Sequence, residues 1–355
     1  MPIKFEIKYK KKRFWAGLLL AQFVLFFILS KIKFTVAFFE GFFEYQKTLH
    51  QRLFSKIPFS AGDLLYILLG ILFLFFVFKI INKKSRNCAI IKLLIGINAF
   101  YLIYQIFLGM LYFRPSLGEK LSKEDVRTEE VKTAAIKYLN LCKHTRMLVN
   151  ENAAGIFTIQ NLEVVKTEIL RNQNNLPAFT SAKKGFKISS AKPSLFDAVM
   201  SYSGILGYYN PFTAEAQFNT NLPSTYIPFT LAHEYAHQLG FAREQEANFI
   251  GYLTGKSSEN VDLQYSTEYY VLKSLLNSLV EKDPKFVKHI VSQYSEGMKR
   301  DRAYEISFNK KHEGYFNDLF GITNDLFLKS NQQDGSITYS YFVELLIRYE
   351  RLTHH

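Results

Sequence analysis

The sequence predicts an α+β protein, mostly helical, in which three N-terminal transmembrane helices precede a folded domain outside the membrane. Three observations predict it. The first third of the chain holds three long apolar runs. The same third carries all of the excess positive charge. The remainder is charge-balanced, and its apolar residues recur at helical spacing almost to the end.

The apolar runs are Phe14–Ile32, Leu64–Ile81 and Ala89–Phe113. Each approaches the roughly 20 residues that a helix needs to cross the hydrocarbon core. Phe14–Ile32 follows the basic run Lys8, Lys10, Lys11, Lys12, Arg13, as a secretory signal would. It is too long for one, however, and no small-residue cleavage site follows. Lys79 and Lys92 sit near span ends, where a lysine can snorkel to the interface. A buried core helix seldom stays apolar on every face for such lengths. Residues 1–120 therefore read as a membrane anchor, and residues 121–355 as the folded domain.

Charge placement sets both orientation and partners. The 355 residues carry a formal net charge of +13, with 44 Lys and Arg against 31 Asp and Glu. Residues 1–120 hold 18 basic and 5 acidic side chains, whereas residues 121–355 hold 26 of each. A nucleic-acid surface would place its basic residues on the folded, polar part. Here that part is neutral, and nucleic-acid binding is excluded as the expected function. Six basic residues lie in the first thirteen, and the short loop Asn82–Cys88 carries Lys83, Lys84 and Arg86. By the positive-inside rule both face the cytoplasm, so three crossings put the domain on the outer side. Cys88 and Cys142 then lie on opposite sides and cannot pair. Two cysteines also build neither a disulfide scaffold nor a cysteine zinc module.

Within the domain, Ser122–Met147 has the spacing of a surface helix, and residues 150–176 read as one or two helices. Residues 177–225 shift to Pro, Gly, Ser, Tyr and Phe, with strands expected at Lys187–Ser190 and Ala214–Thr220. From Pro228 the pattern is helical, with breaks at Gly255–Asn260, Asp283-Pro284, Gly314, Gly321 and Asp334-Gly335. The segment Ser330–Gly335 superficially fits a calcium loop. It fails because Tyr341 stands where a bidentate Glu is required. His289 and His312 lack ligand spacing and are expected to be ordinary surface or core histidines.

One segment carries chemistry: Leu231-Ala232-His233-Glu234-Tyr235-Ala236-His237-Gln238-Leu239-Gly240. On a helix, His233 and His237 lie one turn apart on one face, where two imidazoles can bind one Zn²⁺. Glu234 is placed to take a proton instead of ligating. This is the H-E-x-x-H arrangement, in which zinc lowers the pKa of water and the carboxylate acts as general base. The surrounding helix is largely apolar, so its polar groups need partners, and a metal supplies them. A catalytic zinc site normally has three protein ligands and an open position. Gly240 ends the helix, and the next one, folded back, brings Glu244 or Glu246 towards the metal. Glu244 is the expected ligand, with Asn248 one turn on as its supporting partner. Glu246 is the fallback ligand, or else pairs with Arg243.

His233-Glu234-x-x-His237 followed by Glu244-x-x-Ala247-Asn248 resembles the zincin metallopeptidases of the gluzincin kind. That resemblance implies a zincin-like domain with a small edge sheet. It also implies His233, His237 and Glu244 as zinc ligands, Glu234 as base and Asn248 in support. The zincins run an edge strand antiparallel to the substrate beside the active-site helix, and Phe212–Thr220 is the candidate. The chain departs from the pattern in its short spacing from His237 to Glu244. Gly240 stands where metzincins keep their turn glycine, but Arg243 occupies their third-histidine position. More widely, Tyr209–Ala216 and His233–Phe249, after three spans, are similar to the uncharacterised bacterial DUF3810 membrane family. The expected function is a zinc metallopeptidase, anchored in the lipid bilayer of the bacterial cytoplasmic membrane, that hydrolyses peptide or protein substrates on its outer side. The alternative is a non-catalytic, zinc-stabilised binding or sensing module on the same anchor.

Overall fold

A computed structural model describes residues 11–180, 190–314 and 338–353. The chain is mostly helical with one three-stranded sheet. It divides into two compact units, Met1–Arg114 with Asn210–Glu215, and Pro115–Tyr209 with Ala216–His355.

The first unit contains α1 (Lys12–Ser30), α2 (Lys33–Phe54), α3 (Ala61–Ile81) and α4 (Arg86–Phe107). Helices α1, α3 and α4 are long and apolar enough to cross a membrane, consistent with a membrane protein. The third is shorter than Ala89–Phe113, because Gly109–Phe113 tightens into a 3₁₀ turn. Polar residues inside these apolar helices find one another: Gln22 Nε2 donates to Asn98 Oδ1 at 3.0 Å, and Asn98 Nδ2 donates to the Trp15 carbonyl at 3.1 Å. Such bonds hold helices together where no hydrophobic drive between them exists. Phe26, Val36 and Met110 form the apolar centre. Glu215 seats on the N-terminus of α3, accepting from Gly62 N at 2.7 Å and Ala61 N at 3.3 Å. The unpaired amides and positive dipole end of a helix favour a carboxylate there.

The second unit begins with α5 (Thr128–Arg146) and α6 (Leu162–Asn172). The stretch before α6 is not helical; Glu151 bridges Phe157, and Asn161 caps α6 by accepting from Glu163 N and Val164 N. Next come β1 (Ala191–Pro193), α7 (Asp197–Ser203), β2 (Gly207–Asn210) and β3 (Glu215–Phe218). The sheet order is β1-β3-β2, with β1 parallel to β3 and Ala191 opposite Ala216. The strand within Phe212–Thr220 is therefore central, not an edge, because β1 returns to its free side; the edges are β1 and β2. Of the expected strand Lys187–Ser190, residues 187–189 lie outside the described residues, as do the 330–335 segment and both C-terminal histidines.

Helices α8 (Ile227–Gln238), α9 (Glu244–Lys256), α10 (Val261–Leu279), α11 (Pro284–Ser292), α12 (Glu296–His312) and α13 (Thr338–Thr353) complete the unit. One core runs through it, with Tyr235, Tyr252, Tyr265, Tyr269, Phe241 and Phe249 fully buried. Aromatic side chains with a polar tip need partners inside. Tyr265 Oη donates to Asp301 Oδ2 at 2.7 Å, and Arg146 Nε donates to the same oxygen at 2.6 Å. His312 Nδ1 bonds the Phe308 carbonyl one turn back in α12 at 2.8 Å, and His289 pairs with Gln293, the C-cap of α11.

Glu268 on α10 is buried and raised to about 7 by desolvation, against the hydrogen bond from Thr145 Oγ1 at 2.6 Å. The folded chain thus keeps a proton that the unfolded chain releases near 4.5. Stability falls as pH rises through that window, and the full cost applies above about 7. Glu268→Gln should stabilise the protein by ~1–3 kcal/mol at pH 8 and by almost nothing at pH 4. Urea melts at the two pH values check this, and an equal effect at both would contradict it.

Candidate metal centre

Helix α8 starts with Pro228 in its first turn, while Ser266 Oγ accepts from Phe229 N at 3.0 Å. It ends in a Schellman turn. Phe241 N donates to the Ala236 carbonyl, Gly240 N donates to the His237 carbonyl, and Gly240 has φ of 93°. That left-handed position suits glycine and reverses the chain. Helix α9 then packs back on α8 through small residues, with Ala247 fully buried and Gly251 against the backbone of His233. A Cβ at Gly251 would lie 3.2 Å from His233 N. The close approach brings the first turn of α9 to the histidines.

His233 Nε2 and His237 Nε2 face each other at 3.1 Å, with the rings nearly perpendicular. Glu244 Oε2 lies 3.2 Å from His233 Nε2, and Glu244 Oε1 lies 3.5 Å from His237 Nε2. Both Nδ1 atoms are committed elsewhere: His233 Nδ1–H donates to Asn248 Oδ1 at 2.8 Å, and His237 Nδ1–H donates to the Phe241 carbonyl at 2.7 Å. These acceptors hold the proton on each Nδ1 and leave the two Nε2 atoms directed at a common point. Donor atoms of His233, Glu234 and His237 all fall within 4.8 Å of one another, a grouping that could hold a metal ion.

The electrostatics follow from this crowding. Burial works against a charged His237, but the Glu244 carboxylate beside it prevails and raises it to about 9. Burial likewise opposes the Glu244 anion, yet His237 and His233 hold it well below the usual carboxylate range. Glu234 behaves oppositely. Only 3% exposed, it is raised to about 7 by burial, with both imidazoles pulling the other way. Its Oε2 is buried without a hydrogen-bond partner among the described residues. Such an atom is costly in a folded interior.

Every residue singled out in the motif thus has a place. His233, His237 and Glu244 converge, with Glu234 alongside and Asn248 behind His233. Glu246 does not turn to the histidines: its Oε1 accepts from Leu117 N at 2.9 Å and pairs with Arg243 at 3.1 Å. Two participants carry no motif signal. The Phe241 carbonyl is reached only through the Schellman turn. Gly207 on β2 leaves space for Glu234, since a Cβ there would lie 2.9 Å from Glu234 Oε1 and from the Gln217 carbonyl. Gly207→Ala should therefore cost about 1–3 kcal/mol from overpacking. Thermal melts of the two proteins check it, and an unchanged midpoint would contradict the close approach.

The fold and this centre define a class: a chain with three apolar N-terminal helices and a helical domain in which two histidines and a glutamate converge. The chain belongs to the family described as "Protein of unknown function (DUF3810)", which it matches over residues 38–347. No curated protein and no solved structure is similar to it at a significant level.

Proposed function

We propose that the protein is a membrane-anchored zinc metallopeptidase of zincin type. His233, His237 and Glu244 are its metal ligands and Glu234 its general base. The observation that carries this reading is Glu234 Oε2, buried and without a hydrogen-bond partner among the described residues, beside two converging imidazole Nε2 atoms. A purely structural site has no use for that oxygen, whereas a base needs it.

The donor set fits zinc. Two neutral imidazoles and one carboxylate are a familiar catalytic combination, and tetrahedral ligands at about 2.0–2.1 Å lie roughly 3.3 Å apart. The two Nε2 atoms stand 3.1 Å apart, close to that edge, and each has a Glu244 oxygen beside it, Oε2 at 3.2 Å from His233 and Oε1 at 3.5 Å from His237. Zinc, when bound, supplies a Lewis acid that polarises the scissile carbonyl and acidifies water. The chain's own groups do the rest. Asn248 and the Phe241 carbonyl hold the imidazoles in the ligating tautomer. Glu234 Oε2 accepts the proton of the attacking water and passes it to the leaving amine. β2, an edge strand beside Glu234, offers backbone groups to an extended peptide. The basic N-terminal tail and the basic loop Asn82–Cys88 face the cytoplasm on the positive-inside rule, which supports a catalytic domain that works outside.

The test uses the full-length protein in detergent, loaded with zinc, against a mixture of unstructured peptides. Cleavage that is abolished by a chelator and restored by zinc supports the proposal. One zinc per chain without cleavage of any peptide favours the zinc-stabilised binding module instead.

A further inference from the structure

Helix α2 is built inside out. Phe34, Phe38, Tyr45, Leu49 and Leu53 recur every four or seven residues, and these five side chains are 48–79% exposed. They form one stripe along the helix. The opposite face is buried, with Gln46, Lys47 and Gln51 beside Val36 and Phe43. Lys47 pairs with Glu44 at 2.6 Å, Arg114 with Glu40 at 3.0 Å, and Gln46 Nε2 reaches the Pro211 carbonyl at 3.4 Å. A helix in water does the reverse, and so large an unbroken apolar face marks a surface that something covers. Among the fully exposed positions of α2, charge occurs only on Lys33 and Arg52, near the two ends.

We propose that the acyl chains of the bilayer cover this stripe, so that α2 lies in the plane of the outer membrane interface. The proposal rests on the reading of α1, α3 and α4 as spans. Given that reading, the end of α1 and the start of α3 lie on one face of the membrane. The chain between them begins and ends there. With Glu40, Glu44 and Lys47 in its middle, α2 is not among the helices apolar enough to cross. At about 1.5 Å per residue its 22 residues run some 33 Å along that face. The apolar stripe continues the exposed apolar surface of α1 (Phe27, Ile28) across a break of two residues, one of them the exposed Ile32. Lys33 and Arg52 then reach headgroups from the two ends, as interfacial helices require. The ion pairs of the inner face stay within the protein.

Trp15 is the single tryptophan, so Trp15→Phe provides a dark background in the full-length protein. Tryptophan is introduced singly at Phe38, Tyr45 or Leu49, and at Ile71 in the middle of α3. Each variant goes into phosphatidylcholine vesicles brominated near the headgroup end or near the methyl end of the acyl chain. The α2 sites should lose at least about half of their fluorescence to the shallow bromines and little to the deep ones, as rings roughly 5–10 Å into the boundary would. Ile71→Trp should be quenched most by the deep bromines. Unquenched α2 sites with a quenched Ile71→Trp would overturn the proposal and point to water or a second copy of the chain. Deep quenching at Tyr45→Trp would overturn it in favour of a fourth crossing. An unquenched Ile71→Trp would remove the membrane reading itself.

Discussion

On the proposed function, Glu234→Gln should bind zinc as the wild type does and hydrolyse peptides about 10²–10⁴-fold more slowly, the range that a positioned general base contributes. Glutamine keeps the shape of the side chain beside Gly207 but cannot take a proton. Neither Nδ1 hydrogen bond involves it, so the imidazoles keep their orientation. Burial raises Glu234 to about 7, and a cation between the imidazoles pulls that value down. The acid limb of the wild-type kcat/KM profile therefore lies at or below about 7 and is missing from the residual activity of the variant. Zinc content by elemental analysis and the pH profile of kcat/KM check both parts. Undiminished hydrolysis by Glu234→Gln would sink the assignment of the base.

Glu244→Ala should lose zinc, with at least about a hundredfold weaker affinity, beyond the 10–100-fold expected for a supporting residue such as Asn248. Its carboxylate is the only one within ion-pair distance of both imidazoles among the described residues. Without it, the carboxylate that raises His237 in the metal-free protein is also gone. Glu246→Ala separates the two candidates. Its carboxylate is spent on Leu117 N and Arg243, so its removal leaves zinc in place and costs about 1–3 kcal/mol through an unsatisfied buried amide. Zinc titrations and thermal melts of both variants check this. Unchanged zinc affinity in Glu244→Ala would refute its assignment as a ligand.

Much of this was legible in the chain because the signals are local. The spacing of four between His233 and His237 is one helical turn, and Gly240 is a left-handed turn residue, so both histidines and the reversal could be read directly. Glu244 and Glu246 were harder to separate. They lie two apart on one helix and therefore point to different faces, but which face meets α8 depends on Ala247 and Gly251 packing against it. The sheet was least legible. Its strands have three or four residues, too few for alternation to show, and the parallel return of β1 beside β3 is a long-range event that no window contains. Helix α2 misleads for a related reason. Glu40, Glu44 and Lys47 stand in its middle, and their ion pairs with Arg114 and with each other join residues far apart in the chain or on neighbouring turns.

The Schellman turn at Gly240 has a bearing on assembly. It keeps His233, His237 and Glu244 within twelve consecutive residues, so bringing them together closes a very short loop and costs little chain entropy. A pocket stitched from distant segments would await collapse of the whole domain. This one needs only a helical hairpin, which forms early in low-separation topologies. An ion seated there would clip neighbours to neighbours, leaving the wider tyrosine-rich interior to stand on its own packing.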